Sequence, residues 1–509
     1  MLITTSTSKQ SKESNLAKST LCAQDEQIDF ALANGMEATA GFNGGDISGL
    51  GGLIFLALAD DAHGFIDGAA KCIKDKRVQG LVTHEMKNLL KQVVYLCGAG
   101  YPDGIDSNFL NHDPMLKFCL GWEPDGEQNA ASQAGISRMT TERTERDLKR
   151  LFSYFIKFYI KKHGRPPKQI ELDLDGMSIE AHGRQQFISF NGYYAVNMYY
   201  PLFVMDGDGW LIAPILRSGH VSDAGIAVDV LKVLIKRLRR AWPQVKILVR
   251  GDSAFNDPEI MDWCEENKVD FVLGLKGDNS LNTGSKQFDK AAEKQFKRKF
   301  GERKFDSSKG AYHEDKQLRA LNTLPKSERY KAYEEHDARK IRRYAEFQHR
   351  VGEGYGGKCK KWKKERRVIC SSKVTDRGLK RRYLATSLEG FTPDKVYKEI
   401  YSARGNAELV LRAIQALGAH RLNSLEAITN QFRLLIYAMA YDLILLTREH
   451  LPDSLKQLAI EGLVRDIIRI PVQVKVSTRR IWLRWSSAYP HQKSILRLSN
   501  RLNILPKPA

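Results

Sequence analysis

Apolar and polar side chains alternate over residues 170–176 (IELDLDG): Ile170, Leu172 and Leu174 interleave with Glu171, Asp173 and Asp175. A period of two marks a β-strand with unlike faces. Gly176 closes the run and leaves room for a turn, or for close approach to the last acid. Residues 246–253 (KILVRGDS) repeat the scheme as an apolar strand, then Gly251, then Asp252. Further strands are expected at 186–194, 199–206 and 269–275, with Asn191-Gly192 as a turn signal. Residues 221–242 place Ile226, Val230, Val233, Leu234 and Leu238 at helical spacing. Asp257-Pro258-Glu259 begins another helix, reaching about Asn267, with a capping Asp, a Pro in the first turn and an acid near the helix dipole.

Three strands in succession, then helix, strand, helix and strand, predict the α/β class: a mixed sheet with helices, as in ribonuclease-H-like domains. Residues 166–277 hold this first part of the domain. Before it, residues 21–165 pattern mainly as helices, clearest at 81–97; residues 131–138 and 141–155 have the small-residue turn of a helix–turn–helix, a DNA-binding arrangement. The polar residues 1–20 are expected to be disordered. After it, residues 278–382 lose the α/β rhythm and become basic, with runs such as RKIRRY and KCKKWKKERR, aromatic residues Phe296, Phe300, Tyr344 and Trp362, and strand-like stretches at 343–351 and 366–374. They are expected to form a basic β-rich insertion domain. The sheet domain resumes over 383–450 with helices at 392–417 and 425–450, and a C-terminal region, 451–509, contains a hairpin turning near Ser477-Thr478.

Composition narrows the function. A chain of 509 residues exceeds a single core and suggests two to four domains. The net charge of +20 calls for a polyanionic partner, nucleic acid before an anionic membrane surface. The seven cysteines are scattered without a CxxC pair, which excludes a zinc knuckle or disulfide framework and fits a reducing cytoplasm. The N-terminus lacks the apolar stretch of a signal peptide, and the apolar run 434–446 is too short for a membrane span and contains Asp442. No membrane role is expected.

Two strand-end aspartates in one domain invite a shared cation. On the helix at 392–417, Tyr401, Arg404, Glu408, Arg412 and Gln415 are spaced by three or four residues and fall on one stripe, while Ala407, Val410, Leu411, Ile414 and Leu417 cover an apolar face. Asp175, Asp252 and Glu408, in this order and with an insertion before the last, resemble the acids of the DDE transposases of bacterial insertion sequences. The similarity is closer to the branch with an inserted β-domain and a tyrosine–arginine–glutamate–lysine signature, in its YxxRGxxE subgroup. The pieces carrying it are 98–121, 172–183 (LDLDGMSIEAHG), 190–194 (FNGYY), 250–255 (RGDSAF), 401–408 (YSARGNAE) and 430–443. Two positions depart from the branch: Met177 stands where Thr is usual, and Gln415 where the signature has Lys.

The resemblance implies that Asp175, Asp252 and Glu408 bind two Mg²⁺ ions, with Mn²⁺ as a substitute. These would cut DNA at the ends of an insertion sequence and join the freed 3′-OH to target DNA. It also implies a DNA-binding set: Arg404 as a phosphate clamp with Tyr401, Arg412 and Gln415 on the backbone. Trp362, flanked by Lys363 and Lys364, would stack on an unpaired base. The partners would be double-stranded terminal repeats and target DNA, bound by a homodimer in the bacterial cytoplasm at the nucleoid. A nuclease that only hydrolyses, and a descendant that only binds DNA, are the alternatives. Asp173 is the substitute for Asp175 if the strand register differs by two.

Overall fold

The alternating stretch becomes strand β1, Gln169–Gly176, inside an eight-stranded sheet. The computed structural model describes residues 28–31, 34, 36–220, 226–302, 339–352, 361–376 and 378–505. Residues 1–20 and the first part of the expected helix at 221–242 lie outside the described residues; that helix is seen at Ala227–Ala241. The other strands of the sheet are β2 (Leu202–Asp206), β3 (Leu211–Ile215), β4 (Lys246–Gly251), β5 (Asp270–Leu275), β6 (Lys340–His349), β7 (Arg366–Thr375) and β8 (Gly378–Thr386). Their spatial order is β6-β7-β8-β5-β4-β1-β2-β3. β4 runs parallel to both β1 and β5, and the other neighbours are antiparallel. Leu174 lies opposite Gly251, so Asp175 and Asp252 are the next residues at the carboxyl ends of two adjacent parallel strands. Open sheets with parallel strands bind ligands at that edge.

Residues 278–382 contribute strands, as their sequence suggested, but these continue the same sheet. β8 pairs antiparallel with β5, matching Val272 to Thr386 and Leu275 to Tyr383. Their basic stretch also hides a long helix, Asn279–Phe300, capped by the Asp278 side chain accepting the Leu281 amide at 2.8 Å. Phe296 from this helix packs with Ile341 and Val374 in a small core, so the aromatic residue lies inside while the surrounding lysines face solvent.

A larger core runs from Leu50 to Leu502 and joins the N-terminal helices to the sheet. Its centre is the helix Ala427–Glu449, packed against β3 and the helices Met86–Gly98 and Leu53–His63. Asp442 is buried within it and accepts the Leu211 amide at 3.2 Å; burial holds its carboxyl well above the usual carboxylate range. None of the described helices is long and apolar enough to cross a membrane. The helix–turn–helix stretch forms Gln133–Thr141 and Glu145–Lys162, the second started by a Thr144–Asp147 capping box. That second helix buries Leu148, Leu151, Phe155 and Phe158 against β3 and Ala227–Ala241, leaving a narrow stripe with Arg146, Lys149, Arg150 and Lys157 outside.

Candidate active site

Asp175 ends β1 in a nearly closed setting, 9% exposed, where Gly176 donates its amide to Oδ1 at 2.8 Å. Its Oδ2 is paired with Arg404 Nη2 at 2.9 Å, and both side chains are largely buried. Burial pushes the Asp175 carboxyl up to about 6, against the pull of Arg404 and the Gly176 amide and helped by the negative charges of Asp252 and Glu408. The three acids therefore share one electrostatic neighbourhood. Asp252, one residue beyond β4, caps the short turn Ser253–Phe255 by accepting the Ala254 amide at 2.9 Å. Glu408 is exposed, in the first turn of the helix Gly405–Ile414.

The expected single helix at 392–417 changes pitch along its length. Pro393–Lys395 leads into a wide π-type turn at Val396–Tyr401, a tight turn at Ser402–Arg404 and then Gly405–Ile414; a second π-type segment, Gln415–Ala419, ends at Gly418 with φ of 104°. Wide turns are frequent at functional sites. Burial divides the expected stripe. Arg404 turns inward to Asp175 and the Leu174 carbonyl, whereas Glu408, Arg412 and Gln415 remain outside. Arg404 is thus the counter-ion of an acid, and its Nε lies buried without a protein partner. Tyr401 is half-buried; a Cβ on Gly274 of β5 would come within 3.0 Å of its hydroxyl and 2.8 Å of the Ser253 nitrogen. Only glycine lets β5 pass beside the Asp252 turn. Burial raises the Tyr401 phenol, with Arg404 lowering it and Asp252 raising it.

Sequence reasoning passed over Arg250. It lies on β4, and its Nε and Nη2 donate to Asp173 at 2.6 and 2.8 Å while Nη1 donates to the Ile400 carbonyl at 2.8 Å. Both side chains are buried, and desolvation raises the Asp173 carboxyl despite the partner. Asp173 is therefore engaged on this ion pair, leaving Asp175 as the strand-end acid. One guanidinium fastens β1, β4 and the approach to Tyr401 and Arg404. The signal was present: two acids at i and i+2 on one strand face, and an Arg two residues before Asp252.

One expected contact of the basic stretch, base stacking by Trp362, is corrected. Trp362 is 1% exposed, beside the His349 ring and under the Arg366 guanidinium at 5.5 Å, so it offers no face to a base. Lys363 and Lys364 reach Asp262 and Glu265 of the helix Pro258–Glu266, each at 3.1 Å, an ion-pair cluster completed by Arg366. Both lysine side chains stay mostly exposed beside these acids. Met177 is buried, its amide pointing to the Pro201 carbonyl.

The donor set fits a hard divalent cation: carboxylate oxygens, one of them destabilised by two like-charged neighbours. Arg404 carries the balancing charge at Asp175, and among the described residues no three His, Cys, Asp or Glu side chains are gathered as a metal-binding group.

The family described as Transposase DDE domain group 1 matches residues 30–507. No curated protein matches the chain. Among solved structures, one match is the piggyBac transposase synaptic complex with hairpin DNA, at 10% identity and a TM-score of 0.36, covering 82% of this chain and 79% of that one.

Proposed function

As this chain belongs to the DDE transposase domain family, group 1, it is a DNA transposase that cuts and joins DNA with divalent metal ions, and we propose that Asp175, Asp252 and Glu408 hold those ions. The observation that supports this assignment is the register of β1 on β4, which sets Asp175 and Asp252 at neighbouring strand ends, with Arg404 bringing the Glu408 helix to Asp175 at 2.9 Å. A pair of Mg²⁺ ions, or Mn²⁺ in their place, would supply Lewis-acid polarisation of the phosphate and an activated attacking oxygen. Arg404 holds Asp175 in its ionised, oriented form. The Tyr401 hydroxyl, beside the Asp252 turn, would donate to a phosphate oxygen. Arg412 and Gln415 are exposed farther along and can follow the strand, Arg412 by charge and Gln415 by hydrogen bonding. Arg250 keeps the helix approach registered against both acid-bearing strands.

The ribonuclease-H-like assignment is supported by the β3-β2-β1-β4-β5 portion of the sheet. Tyr401, Arg404, Gly405 and Glu408 support the YxxRGxxE subgroup. The charge of +20 supports double-stranded DNA as partner, and handling two element ends calls for two copies of the chain on DNA.

The test uses purified full-length protein, Mg²⁺ and a supercoiled plasmid carrying the DNA that flanks this gene, with Asp252→Asn and Glu408→Gln beside it. Cuts at two inverted ends and joined products, absent in both variants, are expected. Cutting without joining would overturn strand transfer. Unchanged cutting in either variant would overturn the metal assignment.

A further inference from the structure

Between Asp175 and β2 the chain makes a small three-stranded excursion from Ile179–Glu180, Ser189–Asn191 and Val196–Tyr199, with the last strand central. Its base is tied down. Gly219 donates to the Met198 carbonyl at 3.1 Å, Asn191 Nδ2 donates to the Gly219 carbonyl at 2.7 Å, and the Tyr199 hydroxyl donates to the Gln186 carbonyl at 2.6 Å. Its tip is ordered as well. The Asn191 Oδ1 accepts the amides of Tyr193 and Tyr194 at 3.0 and 3.3 Å, and Ala195 takes a left-handed φ of 59° to close the turn.

This turn displays rings instead of hiding them: Tyr193 is 90% exposed, Phe190 61% and Tyr194 43%. The rings form a line. Tyr193 meets Tyr194 edge-on at 5.0 Å, Tyr194 approaches Tyr200 at 6.0 Å, and Tyr200 lies against Gly176, where a Cβ would come within 2.5 Å of its ring. Gly176 directly follows Asp175, so the line leads from the first acid to solvent. No Asp or Glu occurs between Glu180 and Asp206, and His182 and Arg184 are exposed on the same excursion.

We propose that Tyr193 and Tyr194 are a stacking platform for an unpaired base of the DNA strand engaged at Asp175, an inference that rests on the active site assigned above. Every base has a π-face, but in a duplex those faces cover one another; an aromatic platform therefore selects a base that has left the stack. Arg184, exposed on the same excursion, offers a positive charge to an adjoining phosphate. The net charge opposes the other obvious occupant, a second copy of a chain carrying +20.

Full-length protein is titrated, without divalent metal, into two DNAs: a fully paired duplex, and the same duplex with a single-stranded tail bearing 2-aminopurine at its first unpaired position. The wild type is expected to prefer the tailed DNA and to change the 2-aminopurine fluorescence. Tyr193→Ala with Tyr194→Ala should lose about ten-fold in that preference together with the signal, while affinity for the paired duplex stays within about two-fold. The Tyr193→Phe, Tyr194→Phe pair keeps the rings and should keep both readouts. Equal loss on both DNAs, no loss on either, or loss with the Phe pair would overturn the platform. A drop in self-association of the DNA-free Ala pair, with its DNA preference intact, would assign the surface to a second copy instead. Metal-dependent cleavage is scored separately: its absence in the wild type would strike the active-site assignment, whereas cleavage with the fluorescence response missing strikes the platform alone.

Discussion

Arg404→Met removes the counter-ion of a buried acid and keeps most of the side-chain volume. The Arg404–Asp175 pair is 2.9 Å long with side chains 10% and 12% exposed, so solvent screens it little. Stranding one member of such a pair costs about 3–5 kcal/mol while the remaining member is charged. Whether Asp175 is charged depends on pH. Its folded carboxyl titrates at about 6 against an ordinary 3.8, so the folded state holds the proton more tightly than the unfolded chain. Between those values the wild type loses stability as pH rises, by at most about 1.4 kcal/mol per unit, and above about 6 the loss is complete. Without Arg404 the carboxyl moves higher still, and the loss extends further up the scale. The expected cost of Arg404→Met is therefore about 1 kcal/mol at pH 5, where Asp175 is protonated in both proteins, and about 3 kcal/mol at pH 8. Urea unfolding followed by tryptophan fluorescence at pH 5, 6.5 and 8 measures it. Millimolar Mg²⁺ should stabilise the variant more than the wild type at pH 8, since the ion replaces the missing charge. A cost that stays flat with pH, or one larger at pH 5, would refute the reasoning.

Arg250→Lys keeps a charge but cannot serve Asp173 in bidentate fashion and Ile400 at once; about 2–4 kcal/mol of stability should be lost in urea titration, with kcat falling more than DNA affinity. Gly274→Ala drives a Cβ onto the Ser253 backbone and the Tyr401 hydroxyl; it should cost about 1–3 kcal/mol and reduce cleavage by the folded fraction, measured in single-turnover assays. Trp362→Ala should destabilise by about 3–5 kcal/mol yet leave DNA affinity at low temperature unchanged in a gel-shift assay. Glu408→Gln, at an exposed position, should shift stability by less than about 0.5 kcal/mol while abolishing metal-dependent cutting.

The strands that carry Asp175 and Asp252 were legible because β1 alternates apolar and acidic residues, β4 is a short apolar run, and each ends where a Gly adjoins an Asp. Their adjacency was not legible; it comes from the register of β1 on β4, a long-range property with no local trace. The Glu408 helix was legible in extent but not in phase. Spacing tells which residues share a stripe but not which of them meets the sheet, and Arg404 goes inward to Asp175 while Glu408 stays exposed. Trp362 misled for a related reason: lysines and arginines around an aromatic residue describe the surface of a thin layer, whose interior is that same aromatic residue. Asn279–Phe300 was obscured because a basic helix with one narrow buried seam carries little periodic signal. Arg250 was visible only as a letter beside Asp252, since its role depends on a carboxylate 77 residues earlier.

The two ends of the described chain are knitted together, and this bears on how the protein is born. Ile47–Ser48 pairs with Val472 and Gln473, the amides of Gly51 and Gly52 donate to Ile470 and Ile468, and the Trp485 indole donates to the Gly51 carbonyl across 434 residues of sequence. On a ribosome adding about 5–20 residues per second, the N-terminal partners wait roughly 20–90 s for their counterparts. For most of that interval the helix Leu53–His63 also lacks Ala427–Glu449, against which it packs. A nascent chain is thus committed to a long period with its first apolar surface uncovered, and every prematurely terminated product leaves that surface bare. Chaperones and proteases should sort finished transposase from fragments by this seam, a form of quality control written into topology rather than into any motif.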